Sequence, residues 1–238
     1  MKKTLLSLFT GSVLFAACKK TDYILDTLVA KQECELQTAN PSGKSYDSDS
    51  VVTYNCTTKH CGLMPLAPKN YWIYQDSIFI DGVFLKTQMD TLHFSIQKKS
   101  LSDGLVWWQS NIEVGLPQWL YVNDSSFFGM TDRMFTTGVK DVRKEYGMFE
   151  GDSIRYQTSF EDAAAIGKSL KLKSPVTTSA GTFNDCLYFE KNARNYRKDQ
   201  IFMKPGIGVI RYVQEMVPPG SRYLALQKIS TLVSYHFE

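Results

Sequence analysis

The chain has 238 residues, 43% of them hydrophobic and 13% aromatic, and 27 Lys and Arg against 24 Asp and Glu give a formal charge of +3. A chain of that length and apolarity buries a sizeable core and is most simply one domain. So small an excess of positive charge excludes the strongly basic footprint of a nucleic-acid binder, and no nucleic-acid partner is expected.

At the N-terminus, Lys2 and Lys3 precede an apolar stretch from Leu5 to Ala17, broken by Ser7, Thr10, Gly11 and Ser12, and Ala16 and Ala17 stand directly before Cys18. A charged start, a short apolar run and a small-residue processing site make residues 1–17 a signal peptide. The run falls short of the roughly 18 apolar residues that cross a bilayer as a helix. Leu14-Phe15-Ala16-Ala17-Cys18 resembles the lipobox of bacterial lipoproteins, with Phe15 where an aliphatic residue is usual. The resemblance implies cleavage before Cys18 and acylation of its thiol, palmitate included, which holds the mature chain on the outer membrane. Ordinary secretion with an unmodified thiol is the alternative. No later apolar run is long enough for a helical span, so the lipid is the expected anchor.

Residues 18–69 are polar and without sustained period, and read as a lipidated N-terminus and mostly irregular tether. The more apolar stretch from Tyr23 to Ala30 is an alternative short helix or strand. Cys34, Cys56, His60 and Cys61 offer three thiols and an imidazole, but the four-residue gap and the adjacent His60-Cys61 fit zinc spacing poorly. An exported chain meets oxidising conditions, so a Cys56–Cys61 disulfide is expected, alone or in exchange with Cys34, with Cys186 reduced.

Residues 70–238 read as a single β-rich domain. It opens with Tyr71-Trp72-Ile73-Tyr74, after which Ile78-Phe79-Ile80 and Val83-Phe84-Leu85 flank Asp81-Gly82, a dipeptide suited to a type I′ hairpin turn. Leu92, Phe94 and Ile96 alternate with His93, Ser95 and Gln97, the period of a half-buried strand. Short apolar runs follow at 105–108, 119–122 and 127–128. Ser159, Asp162, Ala163-Ala164-Ala165-Ile166 and Gly167 predict one short capped helix. Strands resume over 181–190 and 201–213. A last strand from Tyr223 towards Phe237 changes its apolar phase, which predicts a bulge near Gln227-Lys228.

The Gly181-Thr182-Phe183 to Cys186-Leu187 element, the Pro205-Gly206-Ile207-Gly208-Val209-Ile210 segment, the last strand and the Tyr71-Trp72-Ile73-Tyr74 start resemble Gram-negative envelope lipoproteins of unassigned function. Those proteins look architecturally like the LolA/LolB-type carriers. The resemblance covers roughly residues 70–100 and 170–238, and implies a strongly curved antiparallel sheet, a half-barrel, around one or a few short helices and an apolar hollow.

Catalytic signals are sparse. His60, His93 and His236 are the three histidines, and His93 falls on the polar face of its strand. Gly206 and Gly208 lead into a strand, not a helix, so they shape a turn instead of a phosphate cradle. No metal or cofactor is expected, nor an enzyme. Trp107, Trp108, Trp119, Phe127 and Phe128 crowd together as core aromatics or as the lining of a hollow for an apolar, lipid-like ligand. The expected function is a membrane-anchored, non-enzymatic binding or structural module, with an accessory subunit of an envelope protein complex as the alternative. A wide exposed apolar patch would mark the alternative.

Overall fold

The computed structural model describes residues 34–46, 50–130, 140–147, 153–160 and 163–238. The expected signal peptide and Cys18 lie outside the described residues. The strands in chain order begin with β1 (Glu35–Leu36), β2 (Ser45–Tyr46), β3 (Val51–Tyr54), β4 (His60–Cys61), β5 (Tyr71–Ile80), β6 (Val83–His93) and β7 (Ile96–Ser100). β8 (Val106–Gln109), β9 (Trp119–Val122), β10 (Ser126–Met130), β11 (Lys140–Asp141), β12 (Arg143–Gly147), β13 (Ser153–Ser159) and β14 (Ala164–Lys171) follow. β15 (Val176–Thr178), β16 (Gly181–Phe183), β17 (Leu187–Ala193), β18 (Arg197–Lys204), β19 (Gly208–Met216) and β20 (Ala225–His236) complete the set. The protein is mainly β, as the alternating and turn-bounded apolar runs predict.

Eight strands form an antiparallel sheet in the order β13, β14, β17, β18, β19, β20, β5, β6, and six form a second in the order β12, β10, β9, β8, β7, β3. Asp81 and Gly82 take φ of 51° and 84° between the paired residues Ile80 and Val83, the two left-handed residues of the expected hairpin turn. The predicted bulge is Gln227: Lys228 pairs with Gln214 and Leu226 with Glu215, which leaves Gln227 as the extra residue.

Two local expectations are corrected. Ser159 to Gly167 is not a helix: β13 ends at Ser159 and β14 begins at Ala164, and Ala165 and Ile166 pair with Thr158 and Gln157. Gly167 pairs with Tyr156, whose ring lies 2.4 Å from where a Cβ would stand, so glycine there admits an aromatic neighbour. The alternation over residues 92–97 also breaks. The chain leaves the larger sheet at His93 and enters the smaller at Ile96, so Ile96 is exposed and Gln97 buried. Gln97 is satisfied there by the Cys56 amide and the Phe94 carbonyl.

One face of each sheet supplies the main core. Trp72, Tyr74, Phe189, Ile201, Tyr212 and Leu232 of the larger sheet share it with Trp108, Leu120, Val122, Phe127 and Tyr146 of the smaller. Tyr146 stacks on Phe189 at 5.3 Å across the layers. Burying a large apolar side chain of this kind contributes about 1.5–3 kcal/mol.

The segment 34–69 corrects the expected tether. Leu63, Met64 and Leu66 lie in the main core, and Leu63 is held on both sides, its N–H donating to Asn123 O and its carbonyl accepting from the Gly206 N–H. The outer face of the smaller sheet carries a second core of Trp107, Trp119, Tyr121, Phe128 and Met130, with Tyr46, Val51 and Val142 packed into it. The polar lead-in thus supplies apolar side chains to both cores. The ordered domain begins well before residue 70.

Candidate interaction surface

The five aromatic side chains expected to line a hollow are all at most 2% exposed, and they do not share one wall. Trp108 and Phe127 point into the main core, while Trp107, Trp119 and Phe128 point into the second. Strand alternation requires the split: Trp107 and Trp108 are consecutive in β8, as Phe127 and Phe128 are in β10. Their neighbours are side chains. Trp107 meets Tyr46 edge-on at 5.8 Å, and Lys98 Nζ stands 5.2 Å over the Trp119 ring.

The cysteine assignment is corrected too. The disulfide joins Cys34 to Cys61 and ties parallel β1 to β4, while Cys56 and Cys186 are free and buried. His60, expected outside the sheets, sits in β4 with its Nδ1 accepting from Trp108 Nε1 at 3.4 Å and its Nε2 3.6 Å from Cys56 Sγ. An accepting Nδ1 places the proton on Nε2, so the ring donates to sulfur. Burial pushes the His60 imidazole down and the Cys56 thiol up, so both groups favour their neutral forms. A thiolate nucleophile needs the opposite shifts. No group of three His, Cys, Asp or Glu side chains gathers for a metal among the described residues. His93 keeps to the edge of β6, and exposed His236 stacks on Tyr71 at 5.3 Å.

Two ion pairs are largely buried, Lys191–Glu145 between the sheets and Arg197–Asp199 within β18. Lys191 bonds Glu145, and Arg197 grips Asp199 through Nε and Nη2, each at 2.8 Å. Burial pushes the Asp199 carboxyl up, and the guanidinium fork opposes that shift. The Lys191–Glu145 pair, from β17 and β12, links the two sheets.

What the fold leaves uncovered is the far half of the β5–β6 ribbon. Trp72, Tyr74 and Leu92 are fully buried where the ribbon crosses the core. Towards the turn much of the exposed surface is apolar, with Val83 71%, Phe84 57%, Leu85 54% and Met89 58% exposed, together with Ile80 and beside exposed Lys86 and Thr87. The tip is braced from beneath: the Gly82 N–H donates to Leu226 O at 3.2 Å, and Phe79 meets Phe84 edge-on at 5.8 Å. β6 is also the last strand of its sheet, so among the described residues one side of its backbone has no strand partner. Protein edges of this length are ordinarily blunted by Pro, Lys or cover. β6 contains no Pro and one Lys, Lys86. An apolar surface beside open backbone donors and acceptors is suited to pairing with another polypeptide strand.

The sequence disclosed the hairpin and missed its exposure. The available signal was the consecutive apolar residues at 78–80 and 83–85, which make both faces of the ribbon apolar. Only one face can rest on a single core.

No protein-family model matches the chain, and no curated protein matches its sequence. Comparison with solved structures finds a likeness to a candidate lipoprotein from Parabacteroides distasonis, with 10% identity and a TM-score of 0.34, over 74% of this chain and 99% of that one. That likeness is too loose to assign a fold family or an activity.

Proposed function

We propose that this chain is a lipid-anchored protein of the outer membrane that works without catalysis, as a subunit joining an envelope protein assembly through the β5–β6 ribbon. The observation that carries this is the pairing of a packed aromatic cluster with an exposed apolar edge. All five aromatic residues that would have lined a ligand hollow are packed into two separate cores, while Val83, Phe84, Leu85 and Met89 face water. Exposed apolar surface that folding does not need marks an interaction site. The lipobox-like segment ending in Cys18 supports the membrane attachment.

The test is a paired substitution, Val83→Asp and Leu85→Asp, in the full chain expressed in its native envelope. The protein should keep its melting temperature and membrane attachment, yet shift on blue-native gels from a larger assembly to its own size. An unchanged assembly would overturn the proposal.

A further inference from the structure

We infer that the occupant of the β6 edge is a second copy of this chain, paired antiparallel across a two-fold axis at Gln88. The inference rests on the ribbon being an interaction surface and adds the partner and the register.

The backbone fixes which residues are available. The side chain of Asn111 already bonds the edge at one end, accepting from the His93 N–H at 2.8 Å and donating to Thr91 O at 2.8 Å. Those two residues therefore turn their backbone groups off the sheet, and by alternation Met89 and Thr87 do the same. At the other end, Lys86 pairs with Ile78 but Phe84 with Phe79, so Leu85 is an extra residue that interrupts the regular edge. The open, regular edge is Lys86-Thr87-Gln88-Met89-Asp90.

That segment is self-complementary when reversed. A two-fold at Gln88 sets Thr87 opposite the other copy's Met89, and both turn N–H and C=O outwards, so each such pair closes two backbone hydrogen bonds. Gln88 then faces its counterpart, and Lys86 faces Asp90 of the other copy, twice by symmetry. These are the close, non-hydrogen-bonded positions, where opposite charges attract most and like charges repel most. Lys86 is exposed and Asp90 half-buried on the isolated chain. Phe84, Leu85 and Met89 would lie along the seam and lose water there. An isologous contact of this kind closes on itself and cannot propagate along this edge into a filament.

The test uses the mature, detergent-solubilised chain. Gln88→Cys should form an intermolecular disulfide on mild oxidation, since the native disulfide is already closed and the two free thiols are buried. Lys86→Asp or Asp90→Lys alone should weaken association about tenfold in sedimentation, and the two together should restore it. Both sites lie on the solvent edge, and circular dichroism checks that each variant is folded. Absence of the Gln88→Cys cross-link, or single charge reversals that associate like the parent, would overturn the pairing. A monomer whose β6 edge cross-links to a different envelope protein would overturn self-pairing and leave the interaction surface standing. A monomer with no contact at β6 would overturn both.

Discussion

Trp107 and Trp108 are neighbours in the chain and lie in different cores, on opposite faces of one strand. Both are fully buried, so truncation of either to Ala should cost about 3–5 kcal/mol by urea unfolding. Their indole N–H groups differ. Trp107 Nε1 is buried without a partner, whereas Trp108 Nε1 serves His60. Trp108→Phe should therefore cost about 1 kcal/mol more than Trp107→Phe. A cost below about 1 kcal/mol for either Ala variant would mean that its site is an open hollow.

Non-reducing peptide mapping should link Cys34 with Cys61 and leave Cys56 and Cys186 as thiols. The bridge spans 27 residues, for which the loop-entropy model gives about 3–4 kcal/mol of stabilisation. Burial raises the pKa of both free thiols, so alkylation at pH 8 should be slow in the native protein and fast in urea. A peptide linking Cys56 with Cys61 would contradict this.

His60 gives stability a pH dependence. Its folded pKa lies below the ordinary imidazole value of about 6.5 because burial disfavours the charged ring. The unfolded chain then binds the proton first as pH falls, so stability is lost on acidification below about pH 6.5. Urea midpoints at pH 7.5 and 5.5 should differ more for the parent than for His60→Gln. Equal differences would show that the ring takes up its proton equally in the folded and unfolded states.

The buried Lys191–Glu145 pair should behave non-additively. Lys191→Met or Glu145→Leu alone leaves an unpaired charge between the sheets and should cost about 3–5 kcal/mol, with the double variant costing less than either. Additive losses would show that each charge is independently solvated.

Local rules made some features legible. Asp81-Gly82 demanded its turn, and the phase change over 224–237 demanded the bulge found at Gln227. The 159–167 stretch misled because Ser, Asp, a run of Ala and Gly also fit a hairpin once partners on both sides supply the hydrogen bonds. β14 is paired by β13 and β17. The lead-in was illegible for a related reason: its order depends on distant groups, namely Cys61 for Cys34 and Asn123 and Gly206 for Leu63. The aromatic cluster was visible, but its partition between two faces required knowing that 107–108 and 127–128 are strand interiors with cores on both sides. The candidate surface was half legible, because apolar content is written in the sequence and exposure is set by where the neighbouring strands stop.

The central claim is that the β5–β6 edge is the working surface of the protein in its envelope. Site-specific photo-cross-linking in living cells tests it most directly, with the photoreactive residue placed in turn at Val83, Leu85 and Met89, and at exposed Ile154 and Ile166 near the opposite edge of the same sheet. The expected result is a discrete protein adduct from the three β6 positions and none from the two controls. Equal labelling at both edges, or no adduct from β6, would contradict the account.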